Sequence, residues 1–545
     1  MSTWKGRSLT RCLELQLNHY IDASGHEPNV TSSNSRKILS KRAFLAGGAG
    51  LVGSVLTEPL LAEAAVKNAS IVDNPIRIEN RKRGTNDWEL TNPAQNREIE
   101  GYASLTSVAR GGRIHFFVST REPRYIIEIF RMGWYGGAGG RRMTAPEMRT
   151  GHRQVMPKPD ESTGVVECEW IDPFVLNVPD TRDPTEWASG IYLAKLTSEV
   201  EKKQSYIIFV IRDDTRASGL IVQSSVTTFQ AYNNWGGKSL YNWNSKGERA
   251  AKKVSFNRPY AASPNPVAAL GVGAGEFLTN VQRTIPAASW EYNMVRFLER
   301  VGYDVVYCSD VDTHLNSSLL LGHKGCIFMG HDEYWSWERR ENVERARNAG
   351  IHLGFFTANA CYWQIRYEAD RTGPSRSIVC YKHEAPREDP LALDNDDSND
   401  HLLTNLWRKN SRKPPEDALV GVMYIANPVY GDIIVRDANH WVCGGTGLHA
   451  GDRLQGLLGY EVDCMQGHAP LGTSLIAHSP FDNGGGLRYS DMTIYQAPSG
   501  AFVFATGSMQ WAWGLDDYGA PRLRPSLSSR PAIQMTRNVL DRFLA

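Results

Sequence analysis

Between Cys326 and Asn359 the chain reads CIFMGHDEYWSWERRENVERARNAGIHLGFFTAN. It opens on CIFMG, a short apolar run of the kind that forms a strand buried on both faces. A charged, amphipathic segment follows, SWERRENVERARNAG, which reads as a helix stopped by Gly350. IHLGFFTAN then resumes the strand pattern. Strand, helix and strand in succession predict a crossover unit and hence a parallel sheet. The pattern extends upstream. GLIVQSS reads as a strand. AASWEYNMVRFLERVG (Ala287–Gly302) places Trp290, Met294, Phe297 and Leu298 near helical spacing before a glycine stop, and the strand YDVVYCSDVD follows. In such sheets chemistry gathers where strands end at their C-terminal edge. Three segments end there: CSDVD, GHDEYWS and TANACYW.

His331, Asp332 and Glu333 stand where one of these strands stops. Side chains alternate along extended chain, so His331 and Glu333 share a side and Asp332 turns away. One reading needs no chemistry: Asp332 or Ser336 caps the helix, and Glu333 favours its positive end. Capping does not require a histidine, however, and an imidazole beside a carboxylate suits a metal or a general base. HDE lacks the second histidine of HExxH, which disfavours a zinc protease. Partners must then come from other strand exits. SSVTTFQAYNNWGGKSLYNWNS (Ser224–Ser245) carries Tyr232, Asn233, Asn234, Trp235, Tyr241 and Trp243. It suits a pocket wall, or equally an aromatic loop packed on a neighbouring domain. FFTANACYWQIR (Phe355–Arg366) carries Asn359, Tyr362, Trp363 and Arg366.

Outside this α/β part the pattern changes. RIHFFVST, YIIEIFRMG, GIYLAKLTS and QSYIIFVIRDD are β-branched and aromatic runs, several of them parted by turn-rich stretches, which predicts an immunoglobulin-like β-sandwich. RMGWYGGAGG (Arg131–Gly140) is no phosphate loop, since no Lys-Ser/Thr follows. It reads as a structural hairpin or as a loop packed on the next domain's active site. Beyond about residue 370 the pattern loosens, and that region is expected to decorate the α/β core. At the other end, RKILSKRAFLAGGAGLVGSVLTEPLLAEA (36–64) joins a basic cluster to a Gly/Ala-rich run and an A-x-A site, the pattern of an export signal. The run is too short and glycine-rich for a good membrane span. SKRAFL resembles the twin-arginine motif with Lys41 in place of its first arginine. The expected division is a leader over 1–64, a sandwich over 65–215 and a catalytic α/β domain over 216–545. The latter has a mostly parallel sheet and glutaminase- or flavodoxin-like layering. The mature protein is expected in the periplasm or outside the cell, without a membrane span.

A formal net charge of +1 gives no reason to expect nucleic acid or an anionic membrane as partner. The cysteines form no CxxC pair, which argues against a zinc ribbon. Those beyond the leader could pair or stay reduced.

Taken together, GHDEYWS, TANACYWQIR, FQAYNNWGGKSLYN and GSMQWAWGL resemble the large subunit of N,N-dimethylformamidase and its relatives, over most of residues 90–540. The resemblance implies a hydrolase of a small amide or related C–N bond. It implies a single iron, expected to be ferric, held by two tyrosine phenolates and one glutamate with a histidine beside it. The glutamate maps onto Glu333 and the histidine onto His331. The first tyrosine maps onto Tyr232 and the second onto Tyr241. Tyr260 is the alternative, because the two tyrosines stand closer here than in the characterised enzyme. The family's active-site asparagine maps onto Asn359, and a further glutamate falls near Glu461. Phenolate and carboxylate are hard ligands that favour ferric iron. His331 or Glu461 would take a proton from water and pass it to the leaving amine, and Asn359 would orient substrate or stabilise an oxyanion. Expected partners are a small amide-like substrate and either a small partner subunit or further copies of the chain.

Two readings from other classes compete. The wealth of Trp and Tyr also suits a non-catalytic module binding carbohydrate or another ligand on the same fold. Cys361 follows a strand and could be a nucleophile, but no nucleophile-elbow pattern surrounds it.

Overall fold

The computed structural model describes residues 73–262, 271–278 and 289–545, so the expected leader over 1–64 lies outside the described residues. The protein is mixed α/β with several sheets. The largest has seven strands, in the spatial order Val305–Ser309, Leu220–Ser224, Gly325–His331, His352–Ala358, Phe502–Ala505, Arg488–Gln496 and Ser474–Phe481. The first five are mutually parallel, and the last two are added antiparallel. Nearly every residue of the parallel strands between Leu220 and Ala358 is buried, as near-continuous apolar runs require. Numbered along the chain, the parallel strands run 2-1-3-4-5 across the sheet. The order therefore reverses beside Leu220–Ser224. The crevice beyond the C-terminal ends of that strand and of Gly325–His331 is where open sheets of this kind bind ligands.

The expected helices are present. Tyr292–Val301 ends at Gly302, whose φ of +83° is the left-handed cap that glycine adopts without penalty. Trp337–Asn348 begins at Ser336, whose side chain accepts a hydrogen bond from the Arg339 N–H. The cap is thus Ser336 and not Asp332, which is engaged elsewhere. No helix among the described residues is long and apolar enough to cross a membrane.

The region beyond residue 370 does more than decorate. It supplies three of the seven sheet strands, and also a long antiparallel hairpin, Met423–Ile434 with Arg453–Cys464. These strands follow one another through turns rather than helices, so the alternation that marks a parallel sheet is missing from their sequence.

Before residue 215 lie a three-stranded sheet (Ile99–Ala103, Arg113–Thr120, Phe174–Asn177) and a six-stranded one that includes Arg124–Met132, Gly190–Ser198 and Gln204–Arg212. Strand periodicity sorts the side chains of the last. Ile207, Phe209 and Ile211 pack with Ile114, Phe116 and Phe174 of the three-stranded sheet. Tyr206, Ile208 and Val210 join the core that holds Val222, Met294 and Phe297. A buried ion pair crosses the same seam, Arg131 to Glu299 at 2.8 Å. Burial opposes the charge on Arg131, but Glu299 outweighs it and raises the guanidinium pKa further. The Arg131–Gly140 turn packs on the Tyr292–Val301 helix: Tyr292 Oη donates to the Gly139 carbonyl (2.8 Å), and Arg296 stacks on Trp134. All seven cysteines among the described residues are free thiols.

Candidate functional site

The site is built from the strand exits at the reversal point. After Leu220–Ser224 comes a short helix, Val226–Tyr232, buried along its whole length. Two carboxylates from other elements satisfy its first amides: Glu291 accepts from Ser225 N (2.8 Å) and Asp310 from Thr227 N (3.0 Å). The helix delivers Tyr232 at its end. The following loop turns back on it, with Leu240 N donating to Ala231 O (3.0 Å) and Asn244 Nδ2 to Tyr232 O. Arg258 organises the turn by donating to the carbonyls of Asn233, Trp235 and Lys238 and to Gln230 Oε1. No carboxylate pairs with it among the described residues, and burial pushes its pKa down to about 10. The fold-back lays the ring of Tyr241 against that of Tyr232, centroids 4.4 Å apart.

Glu333 meets both rings. Tyr232 Oη donates to Glu333 Oε2 at 2.7 Å, and Tyr241 Oη lies 3.0 Å from each carboxylate oxygen. Tyr334 Oη donates to Tyr241 Oη at 2.6 Å. Gly330 makes the exit possible. Its φ is +74°, and a Cβ there would stand 2.8 Å from Glu291 Cγ and 3.0 Å from Trp290 O. The Glu333 N–H is held by Thr228 Oγ1 (3.0 Å). Asp332 turns to the opposite side and forms a two-pronged buried pair with Arg339, at 2.8 and 2.6 Å.

His331 lies among three carboxylates. Nδ1 is 3.1 Å from Glu276 Oε2, and Nε2 is 3.3 Å from Glu333 Oε2 and 3.4 Å from Glu461 Oε2. Burial disfavours its charge, but the carboxylates, Glu461 foremost, raise its pKa well above the ordinary histidine value. Glu461 is held below the usual range, since His331 and its hydrogen bonds overcome the cost of burial. Asn359 Nδ2 (2.8 Å) and Asn427 Nδ2 (2.9 Å) donate to Glu461. Asn359 itself adopts φ +56°, and its N–H donates to Asp463 (2.7 Å). The contacts of His331 Nε2 are near but badly aligned. Both Nε2 and Asn359 Oδ1 are buried without a hydrogen-bond partner. Orphaned polar atoms at these positions mark room for a water or a substrate oxygen.

All six residues expected from the sequence thus converge: Tyr232, Tyr241, Glu333, His331, Asn359 and Glu461. Tyr260 does not join them. It lines a separate cleft with Arg97, Glu100 and Trp235. Cys361 is fully buried, and burial raises its thiol pKa strongly, which removes the cysteine reading. Sequence reasoning missed Glu276, Tyr334, Asn427 and Lys382. Tyr334 adjoins HDE and was in view. The other three come from distant segments, Asn427 from the hairpin strand and Glu276 and Lys382 from short turns, and no local spacing marks them.

As potential ligands, two phenols and a carboxylate form a hard, anionic oxygen set. Burial, then the charge of Glu333, holds both phenols well above the ordinary tyrosine value, so without a cation they keep their protons and donate to Glu333. No trio of His, Cys, Asp or Glu among the described residues has metal-holding geometry, so a metal here would need the tyrosines.

Asp310, under the Tyr232 helix, gives a test by pH. Burial raises its pKa to about 7, against the partial relief given by Arg339. An unfolded aspartate titrates near ~3.9. The folded state therefore binds the extra proton between those values, and stability falls as pH rises through that window. Asp310→Asn should gain stability relative to the parent between pH 4 and pH 7, read as a melting-temperature difference that grows with pH. A difference that is flat or shrinks would show that Asp310 is not held protonated.

A family model described as N,N-dimethylformamidase beta subunit-like, C-terminal, matches residues 126–523, a span that contains every residue of the site. A search of curated proteins finds no match.

Proposed function

The chain belongs to the N,N-dimethylformamidase beta subunit-like family, and from that premise we propose that it hydrolyses the C–N bond of a small amide, using one ferric iron. The observation that carries this reading is the meeting of Tyr232, Tyr241 and Glu333 beside an orphaned His331 Nε2. Those three residues would hold the ion, which when bound polarises a carbonyl and acidifies water. The protein's own groups divide the proton work by environment. Glu461, kept ionised, takes a proton from the attacking water. His331, kept protonated and fixed through Nδ1 by Glu276, gives one from Nε2 to the leaving nitrogen. Asn359 holds Glu461 in line and presents its free Oδ1 to the substrate or to water. A carbohydrate platform would offer exposed aromatic faces, whereas these tyrosines are committed to a carboxylate.

The family's description is of a subunit, so we also propose a small partner subunit or self-association. The 2-1-3-4-5 order supports flavodoxin-like layering, and the shared core of the two N-terminal sheets supports an immunoglobulin-like sandwich.

Elemental analysis with a visible spectrum of the purified full-length chain tests the reading. Iron near one per chain is expected, with the colour of a ferric tyrosinate, and Tyr232→Phe should bleach it. Amide hydrolysis by metal-free, colourless protein would defeat the proposal.

A further inference from the structure

We infer that the amide taken at this site carries a carboxylate, received at the rim by Lys382. The inference depends on the proposed amidase reading for the bond that breaks, and on Lys382 for the acidic group. Lys382 sits in the turn Lys382–Glu384 with a φ of +55°, a backbone conformation unfavourable for a lysine. Its ammonium lies 3.3 Å above the Tyr241 ring centroid, 5.0 Å from that of Trp363 and 5.5 Å from that of Tyr334. Among the described residues the ammonium has no hydrogen bond and no carboxylate in ion-pair range. The side chain is only partly exposed. Among the described residues this cation, held in a turn of positive φ, has aromatic faces as its partners and no counter-ion.

A second observation lies at Tyr362, whose ring stands 5.1 Å from that of Trp363. Arg408 stacks over Tyr362, and the Tyr362 N–H donates to Glu333 O (2.9 Å). Arg408 Nε pairs with Glu416 (3.0 Å) and Nη1 donates to Tyr424 O (3.2 Å), but Nη2 is buried with no partner. Two cationic groups flanking the Tyr241–Trp363–Tyr362 wall therefore each have an unmet donor. A neutral amide, its one carbonyl engaged at the reacting bond, would bring no counter-charge to either. A carboxylate on the substrate would take charge-assisted hydrogen bonds there, while a cationic substrate would be repelled.

The test compares N,N-dimethylsuccinamate with N,N-dimethylbutanamide, matched in length and in the reacting bond, on the iron-replete full-length chain. The acid should be preferred by about 10- to 100-fold in kcat/KM. Lys382→Met should bring the ratio near one, and Lys382→Arg should keep most of it. Calorimetric titration with succinate supplies a readout apart from turnover, and the Lys382→Met variant should bind it at least about 10-fold more weakly. Equal use of both amides by the parent would overturn the inference and leave the amidase reading intact. Succinate binding that needs Lys382, in a protein that hydrolyses neither amide, would support the anion site and defeat the amidase reading. Succinate binding that is absent, or unchanged by Lys382→Met, would overturn the inference whatever the turnover.

Discussion

Under the proposed iron-dependent reading, Glu333→Gln is expected to strip iron from the purified protein and abolish its colour and amide hydrolysis. Glu333 accepts from both Tyr232 and Tyr241, so its charge sits where the two phenol oxygens meet. Glutamine keeps the shape but removes the charge and one acceptor. It also adds N–H groups facing phenols that donate in the same direction. Loss of residues merely hydrogen-bonded to metal ligands typically costs about 10- to 100-fold in affinity, so loss of a direct anionic ligand should cost at least about 100-fold. The fold should survive, because the local backbone is tied independently: Glu333 N to Thr228 Oγ1, and Glu333 O to the amides of Tyr362 and Trp363. Metal content, visible absorbance and melting temperature of the same preparation check this. Full iron occupancy in the variant would remove Glu333 from the ligand set.

Asp332→Ala should have the largest effect on stability. Asp332 and Arg339 are both fully buried, joined by two hydrogen bonds, with the guanidinium stacked 3.9 Å from the Trp335 ring centroid. Removing the carboxylate leaves Arg339 with the Tyr334 carbonyl at 3.2 Å and Asp310 at a distant 3.8 Å. Breaking one side of a buried pair typically costs about 3–5 kcal/mol. For a chain of this size, whose unfolding entropy is about 1 kcal/mol/K, that is a melting-temperature drop of about 3–5 °C. Replacing both partners by apolar residues, as in Asp332→Leu with Arg339→Met, should recover much of the loss, since desolvation of two charges is then avoided. A single variant that melts within about 1 °C of the parent would mean that Arg339 finds another partner. Because Asp332 lies between His331 and Glu333, the single change should also disturb the placement of both side chains.

The sheet and the site were legible to different depths. CIFMG, the charged helix and IHLGFFTAN announced their order, because helical and strand periodicities alternate there with glycine stops. The outward turn of Asp332 followed from strand geometry, but its partner did not. Arg339 stands seven residues onward, in the first turn of the helix, and only packing shows that it folds back under the strand end. Tyr241 was ambiguous for a physical reason. Eight residues of loop can go many ways, and what fixes this one is Arg258, which gathers its carbonyls from beyond the loop. Glu276 and Lys382 were invisible because each is brought in by tertiary contact from a segment with no motif of its own. The strands beyond residue 470 escaped notice because turns, not helices, connect them.

The strand Gln204–Arg212 divides its side chains between two cores. In evolutionary terms this makes a poor recombination boundary. A foreign β-region spliced on near residue 215 would have to match the α/β core at Tyr206, Ile208 and Val210 and its own partner sheet at Ile207, Phe209 and Ile211. The two regions are therefore expected to have been inherited and to have diversified as a pair, with novelty confined to the loops at the open edge of the sheet.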